Sequence, residues 1–271
     1  MRGRFNPLFM TRSQLIVIGV AIVSTLVIYL GCETVPKSFK NLEKSRSFSV
    51  EQTDIQVLLQ EAKTRHPQAQ LLALEDLQHA LENPGTDSSR IELLKQLSGQ
   101  WFGLKEYAIA GFYAAQIAEI APSGESWSIA GATYAIGLQQ SEEESVSAFC
   151  AKRAIQAFEN AISLEPDELT HKINLALVLT DRPPEGNPMK GIQMLLDLNQ
   201  KNPDEPGVLF HLGRLAMRTG QFDKAVERLE KTISLDPGRS EAFCLLAQAY
   251  QELAQPEKAV EAQKKCENNP L

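Results

Sequence analysis

Two arginines one helical turn apart are the residues of this chain best suited to bind a charged group. Arg214 and Arg218 are four positions apart, and this spacing puts both side chains on one face of a helix. A guanidinium can hold a carboxylate through two parallel hydrogen bonds. Phe210 and Met217 flank the pair and would add apolar, adaptable surface. The pattern suits a peptide with an acidic group or a free terminal carboxylate.

The other reactive side chains form no arrangement typical of an enzyme. The four histidines lack the spacing of a metal site or a catalytic triad and are scattered at His66, His79, His171 and His211. The acidic run at 142–144 is typical of a solvated helix start. The sequence has neither a phosphate-binding glycine loop nor a nucleophile elbow. We therefore expect no enzymatic activity, no catalytic residue, no cofactor, no metal site and no small-molecule substrate.

Charge is distributed unevenly along the chain. Residues 1–50 carry seven Lys or Arg and two Glu, a balance of +5. The whole chain has a net charge of −7, so residues 51–271 hold −12. Nucleic-acid binding needs a basic surface for phosphate contacts, and this acidic body argues against it.

The cysteines give little sign of a metal site or a redox pair. Cys150, Cys244 and Cys266 have no CxxC spacing and no neighbouring histidine. Three cysteines in an exported domain could not all pair within one molecule. We expect all three to be buried, unpaired thiols.

The N-terminal segment is the most apolar part of the chain. Residues 15–30, LIVIGVAIVSTLVIYL, contain no charge, and the run approaches the ~17–25 residues that cross a bilayer as a helix. No Ala-x-Ala cleavage site follows. We expect a basic tail at 1–14, an uncleaved transmembrane anchor at 15–31 and a flexible linker at 32–52. The alternatives are a lipoprotein signal with lipidation at Cys32, and a core helix of a soluble protein.

Basic residues on both sides of this span nearly balance the positive-inside bias. Three precede it and four follow it: Arg2, Arg4 and Arg12, then Lys37, Lys40, Lys44 and Arg46. A short basic tail before a first apolar segment usually stays in the cytoplasm. We therefore expect the part of the chain after the span to be exported.

A repeated helical pattern follows the linker. The segment 209–237, LFHLGRLAMRTGQFDKAVERLEKTISLDP, has large and small apolar residues at fixed intervals, with proline at its end: Leu209, Leu212, Gly213, Ala216, Phe222, Ala225, Leu229 and Pro237. It resembles the tetratricopeptide repeat, a 34-residue helix pair that must stack on further copies to bury its apolar face. The resemblance implies an all-α helical solenoid that acts as a binding scaffold. Gly213 and Ala225 would lie where paired helices approach closely.

About five repeats fill residues 91–271, at about 91–123, 124–167, 168–205, 206–239 and 240–271. The second is too long for the 34-residue pattern, which predicts a second helix extended at its N-terminal end. The third is degenerate and is interrupted by prolines at 181–188. Residues 53–90 lack the repeat signature and predict an N-terminal helical hairpin. Its first helix would end at Arg65, before His66-Pro67, and its second helix would run from Gln68 to Glu82.

The resemblance also implies a concave groove lined by the first helix of each repeat. On the family register, the candidate partner-binding residues are Lys95 and Phe102, then Phe210, Arg214, Met217 and Arg218, and finally Gln248 and Gln251. Asp181 of the third repeat falls in the same register. The alternative is that Glu241 or Glu252 neutralises the arginines, which then serve only solubility. Gly99 stands where the chaperone-tail receptors of this family need Asn, which argues against that ligand.

We expect a membrane-tethered scaffold that binds a protein or peptide partner in this groove and supports assembly of an envelope complex. The chain resembles bacterial single-pass tetratricopeptide proteins, which implies the inner membrane with an exported solenoid. One alternative is a structural subunit of a fixed membrane complex. Another is an adaptor in cytochrome c biogenesis, because the architecture is similar to the tetratricopeptide module of cytochrome c maturation factors.

Overall fold

The structure is a computed structural model that describes residues 55–183 and 187–267. The chain divides into two compact units, 1–57 and 58–271, and all described residues after 57 belong to the second. Within the described ranges the regular structure consists of twelve helices without a strand, which confirms the all-α prediction. The segments predicted at 1–14, 15–31 and 32–52 lie outside these ranges. None of the described helices is long and apolar enough to cross a bilayer.

The helices form antiparallel pairs along the chain. Helices α1 (55–65) and α2 (Gln68–Glu82) come first, with the predicted His66-Pro67 break between them. Five pairs follow: α3 (Asp87–Gly103) with α4 (Tyr107–Ile120), α5 (Gly124–Gln140) with α6 (Glu144–Leu164), α7 (Leu169–Asp181) with α8 (Lys190–Lys201), α9 (Pro206–Arg218) with α10 (Phe222–Leu235), and α11 (Ser240–Glu252) with α12 (Pro256–Glu267). The second helix of the overlong repeat, α6, has 21 residues and begins early, as predicted.

Each helix from α2 onward packs against the next one in the chain. The first helices of the later pairs also contact each other in succession, α5 with α7, α7 with α9, and α9 with α11. These helices therefore form one continuous layer of a solenoid. Any site on their shared face draws side chains from several repeats.

Small residues let the paired helices approach closely. A Cβ atom added at Gly131 would lie 2.8 Å from the Phe158 ring, and one at Gly213 would lie 3.0 Å from Leu229. Ala225 is completely buried. The predicted close approach at Gly213 and Ala225 is thus confirmed. The degenerate third repeat also has a close approach, and there the neighbour is backbone: a Cβ at Gly191 would lie 2.4 Å from the carbonyl oxygen of Ala176.

The turns inside three repeats share one geometry. Lys105, Gly220 and Ala254 all have a left-handed backbone, with φ of 63°, 68° and 56°. In each turn the residue after the left-handed one donates a backbone hydrogen bond to the carbonyl five positions before it, for example Gln221 to Ala216 at 2.9 Å. This is the closing bond of a Schellman motif. Of the three, Gly220 adopts this left-handed conformation without steric cost. A side chain, as in Lys105 and Ala254, makes the conformation less favourable by about 1–2 kcal/mol.

The expectation of three unpaired thiols is wrong for two of them. Cys244 of α11 and Cys266 of α12 form a disulfide, with Cα atoms 5.0 Å apart. They are 22 residues apart in sequence and meet because the two helices pack as an antiparallel pair. Cys150 is a buried free thiol, as expected, and burial raises its pKa to about 12.

The disulfide joins a helix that has little apolar packing of its own. Of the residues of α12, only Ala259 and Ala262 are buried. Two alanine side chains remove little apolar area from water, so they stabilise the docked helix weakly. The covalent link to α11 therefore has a large share in holding α12 in place.

The Gly191→Ala variant tests the close approach of α7 and α8. The added Cβ meets the backbone of Ala176 and Thr180 as well as the Thr180 hydroxyl, so the helices must separate. Overpacking of this kind costs about 1–3 kcal/mol, which exceeds the gain in helix propensity of at most about 1 kcal/mol. The matched control is Gly99→Ala, where nothing lies within 4 Å; it should stabilise slightly. Urea denaturation that gives the same sign for both variants would contradict the contact.

Thiol titration tests the disulfide. The chain has four cysteines, and denaturant plus a reductant should expose two more thiols than denaturant alone. A Cys244→Ser/Cys266→Ser variant should lose about 2–4 kcal/mol of stability, the usual contribution of a disulfide. Its melting temperature should not respond to reductant, whereas that of the parent should fall. Equal thiol counts with and without reductant would show that the pair is not bonded.

Candidate partner-binding groove

Helix α9 carries Arg214 and Arg218, and its position is fixed by packing on both sides. Val208 and Leu212 lie in an apolar cluster with residues of α7 and α8, while Ala216 lies in a cluster with residues of α10 and α11. The helix starts with Pro206 in its first turn, and the Glu205 carboxylate accepts a hydrogen bond from the Gly207 amide at 3.3 Å. With two faces buried, α9 presents its arginines on the remaining side.

Arg218 is paired with an acidic residue of the preceding repeat. Its Nη1 donates to Asp181 Oδ1 at 3.1 Å, while the other Asp181 oxygen, Oδ2, accepts from Gln139 Nε2 at 3.2 Å. Asp181 thus connects α5, α7 and α9. In the described part of the chain, neither Glu241 nor Glu252 forms an ion pair with Arg214 or Arg218. The proposed neutralisation by these two glutamates is therefore wrong.

Arg214 and Arg218 line one wall of a pocket of about 460 Å³. We call it the arginine pocket; it is lined by Leu138, Gln139, Ser147, Asp181, Arg182, Arg214 and Arg218. Arg182 follows α7 directly, forms an ion pair with Glu144 and donates to Ser147 Oγ at 3.4 Å. The hydrogen bond from Arg182 lowers the pKa of Glu144. Arg214 forms no ion pair with any residue that the structure describes.

The other predicted groove residues differ in their surroundings. Phe210 is only 5% exposed and packs in the core with Arg239 over its ring at 5.2 Å, so it offers the groove almost no surface. Met217 is half-buried beside the same core. Gln248 and Gln251 are exposed on α11, the next first helix of the layer.

Lys95 and Phe102 do not join the arginine pocket. Both lie on α3, which packs against α2 and α4, whereas the pocket is built from α5, α6, α7 and α9. Lys95 is exposed, and Phe102 is 43% exposed with its ring edge-on to Tyr107 at 5.1 Å. They belong to a separate part of the solenoid surface.

Sequence reasoning missed Gln139 and Arg182. Arg182 lies at the start of the proline-rich interruption of the third repeat, where the family register no longer applies. An arginine placed directly after a groove aspartate was the available signal. Gln139 had none, because its role depends on Asp181 reaching across from the next helix pair.

No group of three or more His, Cys, Asp or Glu side chains within 55–183 and 187–267 is arranged to hold a metal ion. The paired arginines and the amide of Gln139 are groups that bind anions. These groups make the pocket chemically suited to a negatively charged ligand.

A family profile for the tetratricopeptide repeat matches residues 206–239 and 240–268, which contain α9–α10 and α11–α12. These two helix pairs are tetratricopeptide repeats. The chain is also similar to a crystal structure of MamA, at 20% identity and a TM-score of 0.43 over 64% of this chain and 94% of that one. A second MamA structure, residues 41 to the end from Desulfovibrio magneticus RS-1, gives 17% identity and a TM-score of 0.43 over 68% and 96%. So remote a likeness has no bearing on partner or function.

His211 lies beside Arg214 in the first of these two tetratricopeptide repeats. Burial, reinforced by the positive charges of Arg214 and Arg239 and opposed by Asp181, lowers its pKa to about 4. Its Nδ1 is buried and has no hydrogen-bond partner among the described residues. His211 is therefore neutral at physiological pH and adds no charge to the arginine pocket.

The pKa of His211 predicts a loss of stability in acid. Its value in the unfolded chain is near 6.5 and in the folded chain about 4, so the unfolded state binds more protons between these values. Stability present at pH 7 is then lost as the pH falls through this window. We expect His211→Gln to lose less than the parent between pH 7.5 and 4.5, by on the order of 2 kcal/mol. Urea denaturation at both pH values measures this difference.

The control for this prediction is His79→Gln, which replaces an exposed histidine of α2. It should follow the parent at both pH values. Parallel pH profiles for the parent and His211→Gln would mean that His211 is protonated in the folded protein.

Proposed function

We propose that the chain is a membrane-tethered tetratricopeptide scaffold that binds a protein or peptide partner in its groove and supports assembly of an envelope complex. The partner would place an acidic group in the arginine pocket. The observation that carries this proposal is Arg214, a half-buried arginine on the pocket wall with no ion pair among the described residues.

An unpaired guanidinium on the wall of a pocket favours an anionic partner. Arginine has five N–H donors in a planar fork that fits a carboxylate. A partly buried charge without a counterion is costly, and a carboxylate placed against it removes much of that cost. The other two arginines of the pocket already have internal partners in Asp181 and Glu144.

The surface beside the pocket suits a peptide. Met217 supplies adaptable apolar surface, and exposed Gln248 and Gln251 on α11 can donate to and accept from a peptide backbone. The groove in this proposal therefore runs from Arg182 to Gln251. Residues 51–271 carry a net charge of −12, so the two arginines would be a local positive site on an acidic body.

We further propose that residues 15–31 anchor the chain in a bacterial inner membrane and that the solenoid is exported. The Cys244–Cys266 disulfide supports export, since such bonds persist in oxidising compartments and are rare in the cytosol. A lipid anchor at Cys32 is the alternative. Protease added to intact spheroplasts should digest the solenoid, while digestion only after lysis would contradict export.

A structural subunit of a fixed complex is a second candidate, favoured by apolar side chains on the second helices. Leu164, Leu196 and Leu235 on α6, α8 and α10 are 48%, 43% and 42% exposed. A permanent partner on this side would cover them. Cross-linking followed by mass spectrometry distinguishes the candidates, because contacts concentrated on α6, α8 and α10 would favour the structural subunit. An adaptor in cytochrome c biogenesis would use the same groove, but no described contact points to that process.

The Arg214→Glu variant tests the proposed function. Because Arg214 has no ion pair with the described residues, its reversal should leave the melting temperature unchanged. Partner recovery in a quantitative pull-down with the full chain should fall at least tenfold, as expected when an interfacial charge pair is replaced by two like charges.

The matched control is Lys152→Glu, the same charge reversal at an exposed position of α6. It should recover the partner as the parent does. Undiminished recovery by Arg214→Glu, with an unchanged melt, would contradict binding at the arginine pocket.

A further inference from the structure

We infer that the arginine pocket accepts a singly charged carboxylate and discriminates against a phosphate dianion, and that Asp181 sets this preference. The inference rests on the proposed function, because it names the acidic group that the groove binds. It concerns a specificity-determining residue supplied by the degenerate third repeat.

The charges of the pocket leave room for one negative charge. Three guanidinium groups are present, and two of them are paired: Arg218 with Asp181 and Arg182 with Glu144. Arg214 alone has no counterion within the described residues. The local excess is therefore a single positive charge, which one carboxylate neutralises.

Hydrogen bonds to both oxygens restrain the Asp181 carboxylate in its position. Both of its oxygens are engaged, Oδ1 by Arg218 at 3.1 Å and Oδ2 by Gln139 at 3.2 Å. Asp181 is the last residue of α7, and its side chain is 21% exposed. The pocket thus has a fixed negative group in its wall.

A carboxylate and a phosphate dianion would interact differently with the arginines and Asp181 of the pocket. A carboxylate has two oxygens, which the fork of Arg214 can bind without disturbing the internal pairs. Neutralising a dianion takes a second arginine, and the dianion would have to compete with Asp181 for Arg218 or with Glu144 for Arg182. The remaining charge would face Asp181, and repulsion of this kind is a common source of specificity.

The experiment uses the full chain, labelled with ¹⁵N-arginine and solubilised in dodecyl maltoside at pH 7.5 and constant ionic strength. The Nε–H resonance of Arg214 is assigned by its loss in Arg214→Lys. Three probes are titrated: acetyl-aspartate N-methylamide, acetyl-phosphoserine N-methylamide and acetylglycine. The first two differ mainly in charge, since phosphoserine is largely a dianion at this pH. Acetylglycine represents a free C-terminal carboxylate, which separates that source from an acidic side chain.

We expect a saturable shift of the Arg214 resonance with at least one carboxylate probe, and at least fivefold weaker binding of the phosphoserine probe. In Asp181→Asn, the phosphoserine probe should bind at least as tightly as the aspartate probe. The control Asp167→Asn removes an exposed carboxylate beyond the lining of the pocket and should keep the parental preference.

Phosphoserine binding as tight as that of aspartate in the parent would overturn the inference, as would an unchanged preference in Asp181→Asn. Either result leaves the proposed function standing, because anions would still bind at Arg214. A resonance that none of the probes moves would overturn the inference too, and the Arg214→Glu pull-down would then decide the proposed function separately.

Discussion

Each helix pair of this chain has an apolar face that only the neighbouring pair can cover, and the solenoid follows from that constraint. Helix α9 shows it directly: Val208 and Leu212 complete a cluster with Ile173 and Leu195 of the pair before, while Ala216 belongs to the cluster of the pair after. Neither cluster closes within one repeat. Stacking therefore supplies the hydrophobic free energy of folding, and it also fixes which side of each first helix is left for binding.

Close approach between paired helices depends on residues without bulk. Gly131 lies against Phe158, Gly213 against Leu229, and Gly191 against the backbone of α7. The tightest of these contacts belongs to the third repeat, whose signature is the weakest. Arg182, the residue directly after α7 in this repeat, lines the pocket.

The arginine pocket combines regular and irregular parts of the chain. Arg214 and Arg218 come from a repeat that follows the family pattern, whereas Arg182 and Glu144 come from the two repeats that depart from it. Asp181 and Gln139 connect the two groups. The pocket therefore takes its charged residues both from the repeat that matches the family profile and from the repeats that depart from it.

The sequence by itself determined the helices, their pairing and the spacing of Arg214 and Arg218 by one helical turn, because these features depend on residues close together in the chain. The break between α1 and α2 at Pro67 and the extra length of α6 also depend on neighbouring residues, so the sequence predicted both. Only the tertiary structure decided that Phe210 turns into the core, that Asp181 and not Glu241 holds Arg218, and that Cys244 meets Cys266. Each of these depends on the angle and offset at which one helix packs against another. That geometry is set by the summed packing of many small side chains, which a one-dimensional pattern does not contain.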